Sequence, residues 1–364
     1  MKVVTVGIRG AGMSGLSVAR ELLRQDPRLT ISLFDTRPRL PHPPRTFCFF
    51  RTQDPTPPAI RQFSWSTIMF RGKSFERRID VSNHPYTMIR GDDFFSSTLG
   101  NLEEQGVQCT WGCSRVDITE NCIIADGRTF TFDAVIDAAF DVRNSQSMMW
   151  QSFAGVWIST ESAHFDPTVA LLMDLKESST EAPVGFLYIL PISTRTALVE
   201  HTTFSPTPMH KSYHIDRCFE WIRENVQGGM QIGETEAGRI PMGLYTSTPH
   251  QLAVGSGAGV IRPATGYAFA RAQEHAQQVA RSILSLNPAP APHYPIWLST
   301  ADSLFLRALL NTPERGREIM ERLLARARGE SLVAFLSGKV GLRDALEVCL
   351  SVPKRMMLRS LLRI

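Results

Sequence analysis

The segment that most constrains the fold lies at the start of the chain. Val3-Val4-Thr5-Val6 has the pattern of a short buried strand, runs into Gly10-Ala11-Gly12-Met13-Ser14-Gly15, and continues as the helical run Leu16-Ser17-Val18-Ala19-Arg20-Glu21-Leu22-Leu23. The glycines of such a turn have separate duties. Gly10 permits the tight turn, Gly12 lets backbone N–H groups approach a pyrophosphate, and Gly15 lets the helix pack closely on the sheet. The helix N-terminus then offers unpaired N–H groups and a partial positive charge to the phosphates. A second strand, Thr30-Ile31-Ser32-Leu33-Phe34, ends at Asp35, twenty residues beyond Gly15, where a carboxylate can accept from ribose hydroxyls. This order predicts a dinucleotide-binding α/β unit; a glycine-rich turn without a ligand is the alternative.

Later segments favour FAD over a nicotinamide. Leu252-Ala253-Val254-Gly255-Ser256-Gly257-Ala258-Gly259 reads as another buried strand, which turns through Pro263-Ala264-Thr265-Gly266-Tyr267 into a helix from Ala268 to Leu286. FAD enzymes of the glutathione-reductase type have such a late return to the nucleotide domain, and it sets a helix N-terminus against the flavin. Gly255, Gly257, Pro263, Thr265, Gly266 and Tyr267 therefore join Gly10, Gly12, Gly15 and Asp35 as candidate cofactor contacts. Ala134-Val135-Ile136-Asp137-Ala138-Ala139 reads as the last strand of an interrupted nucleotide domain and adds Asp137. Residues 151–204 carry alternating, aromatic and β-branched runs expected to form an inserted antiparallel sheet. A helix is expected over Phe219 to Val226, a proline-rich linker over 287–295 and helices over 300–364. The expected fold is α/β: a split, glutathione-reductase-like Rossmann-type FAD-binding domain (residues 1–50, 85–150 and 235–290). An antiparallel-sheet substrate-binding domain (51–84 and 151–234) is inserted, and a C-terminal helical region (296–364) follows.

Composition narrows the function classes. At 364 residues the chain exceeds the roughly 250–300 residues that one hydrophobic core usually serves. No apolar run approaches the roughly 18–20 residues that span a bilayer, and the start lacks the long apolar stretch of a secretory signal, so a cytoplasmic location is expected. A net charge of +4 gives little support to a nucleic-acid partner. The cysteines at 48, 109, 113, 122, 218 and 349 lack a paired CxxC spacing. They read as reduced thiols with no metal site, the Cys109/Cys113 pair being a weak zinc signal. The tail from Pro353 to Ile364 interleaves Lys and Arg with Leu and Met. It suits either contact with an anionic membrane surface or packing on its own domain.

These residues resemble, in order over nearly the whole chain, the bacterial lycopene beta-cyclases, which are FAD-dependent carotenoid enzymes. The resemblance rests on the glycine start, Arg45-Thr46-Phe47 where the family has His-Thr-Trp, Val135-Ile136-Asp137, Gln151-Ser152-Phe153 and Met173-Asp174. It continues through Tyr188-Ile189-Leu190-Pro191, Glu200 with Thr202, Gly238-Arg239-Ile240-Pro241, Pro263 to Tyr267, Phe305-Leu306, and Phe335-Leu336-Ser337-Gly338 with Pro353-Lys354. It implies a peripheral membrane enzyme that cyclises an acyclic isoprenoid end, of lycopene or a related terpenoid, without net oxidation. It also implies that FAD is needed in its reduced form, with NADPH or another reductant acting indirectly.

Such a cyclisation starts with a proton added to a trisubstituted double bond, proceeds through a tertiary cation and ends with loss of a ring proton. The resemblance places the acid at Glu200. To donate a proton near neutral pH, its carboxyl must titrate well above the ordinary value of about 4, which an apolar pocket can impose. From the residues alone, Glu200 also suits a strand-end ion pair with Arg195. His201 stands where many bacterial members have an acidic residue, and is a candidate proton relay that would oppose the acid if cationic. The rival class is a flavin-dependent monooxygenase or halogenase acting on a hydrophobic substrate. Two departures argue against it: Gly255-Ser256 where hydroxylases carry an aspartate, and Val156-Trp157-Ile158-Ser159 in place of a WxWxIP segment.

Overall fold

The structure, a computed structural model, describes residues 4–39, 44–51, 60–140, 147–176, 182–243, 252–285, 287 and 295–352. Its first unit is a parallel sheet of five strands in the order Leu252–Ala253, Ala134–Asp137, Thr5–Arg9, Thr30–Phe34 and Gln108–Thr110. The chain runs outward from Thr5–Arg9 in one direction, then returns to its other side. That reversal makes the C-terminal ends of the central strands the place where such sheets bind ligands. The helix Met13–Gln25 follows the first strand and packs on the helix Phe269–Ser285, with Leu16, Leu22, Val279 and Ile283 in their shared core. Tight packing at the turn is visible in Gly15, where a Cβ would lie 1.9 Å from the Gly10 carbonyl oxygen.

The second unit is a seven-stranded sheet in the order Met230–Met242, Met149–Thr160, Thr196–Ser205, Val184–Pro191, Val169–Asp174, Thr67–Arg71 and Glu76–Asp80. The expected antiparallel insert is therefore a mixed sheet, because Val169–Asp174 pairs in parallel with Thr67–Arg71. The expected boundaries at 150/151 and 234/235 fall inside the strands Met149–Thr160 and Met230–Met242, which pair along nearly their whole length. One face of this sheet is covered by the helix Lys211–Asn225, longer than the expected Phe219 to Val226. The other face packs against the C-terminal helices Ile296–Asn311, Gly316–Arg326 and Gly329–Ser337. Thr196–Ser205 is consequently buried on both faces, so its sequence shows no polar alternation.

The late glycine stretch does not continue as a strand. Extended pairing stops after Ala253, and Gly255, with φ +70°, starts a short 3-10 turn to Ala258 that ends at the left-handed Gly259. Positive φ is the conformation that glycine adopts without a Cβ clash. The terminal segment 353–364, the first residues of the chain and the linker prolines at 288, 290 and 292 lie outside the described residues.

Candidate active site

The glycine turn forms an open cradle. A Cβ on Gly12 would meet no atom nearer than Arg37 Nη2, at 3.5 Å, so a ligand can approach the backbone there. Beside it, Asp35 accepts from the Ala11 N–H at 2.7 Å and from the Arg37 N–H at 2.8 Å. Burial opposes ionisation of Asp35, but the paired Arg37 guanidinium and these N–H groups hold its carboxyl below the usual range. Arg37 was not singled out from the sequence, although a cation two residues beyond the acid was the available signal. Asp137, expected as a cofactor contact, has its carboxylate bound by the Arg9 guanidinium and does not line the cavity described next.

A cavity of about 550 Å³ begins at this cradle. Gly12, Met13, Ser14, Ala138 and Ser256 line it from the C-terminal ends of three adjacent parallel strands. Thr265, Gly266 and Tyr267 line it as expected, whereas Pro263 does not. Gln151 Oε1 and Thr265 Oγ1 are buried in its wall without hydrogen-bond partners among the described residues. An unsatisfied buried polar atom costs about 1–3 kcal/mol, so these atoms suit the polar edge of a bound ring system. The open glycine cradle, the buried Asp35 carboxylate beside it and the two orphaned polar atoms together fit FAD.

At its far side the cavity turns apolar. Phe305, Met320, Leu323, Leu324, Phe335 and Leu336 of the C-terminal helices form that wall. Facing it, Glu200, Thr202 and Phe204 project from alternate positions of Thr196–Ser205. Glu200 is 8% exposed and accepts a hydrogen bond from Thr202 Oγ1 at 3.1 Å, while Arg195 is exposed on the surface, so the ion-pair alternative fails. Burial, and next the neighbouring carboxyl of Glu236, push Glu200 well above the usual carboxylate range.

His201 is not positioned as a relay. Adjacent residues of a strand point to opposite faces, and His201 lies under the helix Lys211–Asn225, with Nδ1 3.0 Å from His214 Nδ1. His214 Nε2 is in turn 3.2 Å from Ser152 Oγ. Burial, reinforced by His214 and Arg217, lowers His201 to about 3, so a neutral ring stands behind the sheet and imposes no charge on Glu200. On the cavity side, Tyr188 lies directly across from Glu200, and the hydroxyls of Tyr188, Tyr86 and Tyr267 are hydrogen-bonded in series. Burial raises all three phenols, so they remain neutral.

Residues 4–362 match the family described as lycopene cyclase protein. The chain belongs to the lycopene cyclase family. Among its relatives, the lycopene beta-cyclase of Pseudescherichia vulneris is 24% identical over 293 residues, covering 75% of this chain and 72% of that protein. The chloroplastic lycopene beta cyclase of Nicotiana tabacum is 26% identical over 310 residues, covering 78% and 60% respectively. The chromoplastic capsanthin/capsorubin synthase of Citrus sinensis is 24% identical over 225 residues, 55% of this chain and 44% of its own length. The match thus spans less than two thirds of both plant relatives.

Solved structures show the same fold at lower identity. The tryptophan 5-halogenase MibH superposes with a TM-score of 0.60 at 14% identity, over 99% of this chain and 89% of that one. A flavoprotein/dehydrogenase from Cytophaga hutchinsonii gives 0.61 at 12% identity, over 99% and 100%. This lycopene cyclase family member therefore shares the α/β fold of these proteins. The family segments quoted from the sequence converge on one place: Thr46, Gln151, Met173, Tyr188, Glu200, Gly238, Thr265, Phe305 and Phe335 all line the cavity.

Proposed function

We propose that this chain binds FAD and, without net oxidation, protonates the acyclic end of lycopene or a related terpenoid to close a ring through a carbocation. The observation that carries the reading is Glu200: a buried carboxyl, pushed well above the usual carboxylate range, facing an apolar cavity continuous with the glycine cradle. Gly12 and the start of Met13–Gln25 receive the pyrophosphate, Asp35 the ribose, and Gln151 and Thr265 the polar rim of the flavin. FAD bound there in its reduced form, replenished indirectly by NADPH or another reductant, would supply an electron-rich ring to stabilise the cation.

Glu200 donates its proton to the terminal double bond, a neighbouring double bond attacks the tertiary cation, and the ring proton returns to the Glu200 carboxylate. The phenyl and phenol rings of Phe186, Tyr188, Phe204 and Tyr267 give the cation π faces, worth about 0.5–2 kcal/mol each where desolvated. The apolar helices exclude water that would otherwise capture it. Product mass tests the reading: an isomer of the substrate supports it, and a product heavier by oxygen or halogen replaces it with the oxygenase or halogenase reading.

We also propose a cytoplasmic enzyme resting on a membrane surface, where such a substrate dissolves. No helix among the described residues is long and apolar enough to cross a membrane. The helix Leu342–Ser351 instead presents Leu342, Leu346 and Leu350, 75%, 62% and 54% exposed, on one stripe leading into the basic tail. Replacing Leu346 and Leu350 with Glu should weaken binding to anionic vesicles; unchanged partitioning would assign the stripe to other packing.

A further inference from the structure

Strand register places a second carboxyl beside Glu200. Gly155 pairs with Glu200 on one side and with Glu236 on the other, so Tyr188, Glu200, Gly155 and Glu236 form one row across four neighbouring strands. Residues directly opposed in antiparallel strands project to the same face. Gly155, with no side chain, stands between Glu200 and Glu236 in that row; a Cβ there would lie 2.8 Å from Leu198 Cδ1 and 3.2 Å from Glu200 Cβ. Glu236 is 3% exposed and does not line the cavity. It is thus a buried acid that the cyclisation steps do not use. It was passed over in the sequence because Glu234 and Glu236 together look like the solvent face of an edge strand, and Glu234 is indeed exposed, paired with Arg90.

The surroundings of the two acids differ. Burial raises Glu236 too, but it accepts from Thr46 Oγ1 at 2.7 Å, and that bond and the Arg90 guanidinium oppose the rise, with the Arg45 guanidinium also in electrostatic reach. Glu200 has the longer bond from Thr202 and, around it, Tyr86, Tyr188, Tyr267 and Cys48. Those groups are neutral, with burial pushing Cys48 up to about 12. The C-terminal helices add apolar side chains to this cavity. Two carboxyls sharing one buried site cannot both ionise readily, and the proton goes to the member with fewer donors and cations.

We propose that Glu236 is a positioning residue whose buried carboxylate keeps the proton on Glu200 until substrate arrives. This rests on the reading of Glu200 as the acid. When Glu200 gives its proton to the double bond, two carboxylates face each other across Gly155. The repulsion makes Glu200 a stronger base for the ring proton that must return, so the pair ends the cycle as it began, with one proton.

The test uses the holoenzyme and reads protonation directly, by the infrared C=O band of the protonated carboxyl that Glu200→Gln removes. With Glu236→Gln, the pH at which this band disappears should fall by about one unit or more, a tenfold weaker hold on the proton. The high-pH limb of turnover should move down with it, and Glu236→Asp, which keeps the charge, should restore most of the shift. An unmoved band overturns the proposal. A band that shifts in an enzyme that makes no cyclised product sustains the coupling and rejects the cyclase reading instead. If Glu236→Gln does not fold, Thr46→Val decides: with the hydroxyl gone, Glu236 competes for the proton and the Glu200 band weakens at neutral pH, whereas an undiminished band overturns the proposal.

Discussion

Glu200→Gln is expected to lower turnover by about 10²–10⁴-fold, the range usual for loss of a general acid, while leaving folding and flavin absorbance intact. The amide keeps the size of the side chain and can still accept from Thr202 Oγ1, the bond that orients the native carboxyl. What it loses is the acidic proton that the cavity stabilises. The partner experiment is His201→Ala. Its ring lies on the opposite face of the sheet with His214, so its removal should cost stability rather than chemistry, leaving the pH dependence of turnover in place. Steady-state rates of purified protein, with circular dichroism as the control for folding, check both. Full activity in Glu200→Gln would remove the acid from the mechanism.

Gly12→Val is expected to abolish flavin binding, read as loss of the flavin absorbance after reconstitution, in a protein that still folds. The structure separates this from a folding defect, because a Cβ on Gly12 meets nothing within 3.5 Å yet stands where the pyrophosphate must approach. Gly15→Ala should behave differently. Its Cβ would lie 1.9 Å from the Gly10 carbonyl oxygen, forcing helix and strand apart at a cost of about 1–3 kcal/mol, seen as a lowered melting temperature. Retained flavin in Gly12→Val would mean that the cofactor does not lie on this turn.

Much of the nucleotide unit was legible because local signals agreed there. Strand periodicity, turn glycines and a spaced acid each follow from one short stretch: Thr30–Phe34 appears as expected, Met13–Gln25 contains the expected run Leu16 to Leu23, and the first strand, Thr5–Arg9, begins two residues later than Val3. What was illegible depends on distant pairing. Nothing local says that Glu236 and Glu200 share a row, since that is set by the register of both strands against Met149–Thr160. Nor does sequence adjacency show that His201 faces away: a strand buried on both sides carries no polar alternation to assign its faces. The C-terminal helices were expected over 300–364, but helical periodicity reveals an apolar face and not what covers it. Their Phe305 and Phe335 turn out to close the cavity. Asp137 was placed correctly at its strand end, yet its carboxylate is taken by Arg9, four strand positions beyond Thr5 on the neighbouring strand.

The central claim is that a proton enters from Glu200, another leaves, and no electrons are transferred overall. Turnover in heavy water with the flavin reduced and oxygen excluded tests it most directly, with the product analysed by mass. The account predicts a product isomeric with the substrate in ordinary water and carrying one deuterium for each ring closed in heavy water, with this incorporation strongly diminished in Glu200→Gln. Product that forms only when oxygen is admitted, with added oxygen or halogen and no deuterium gained, would contradict it.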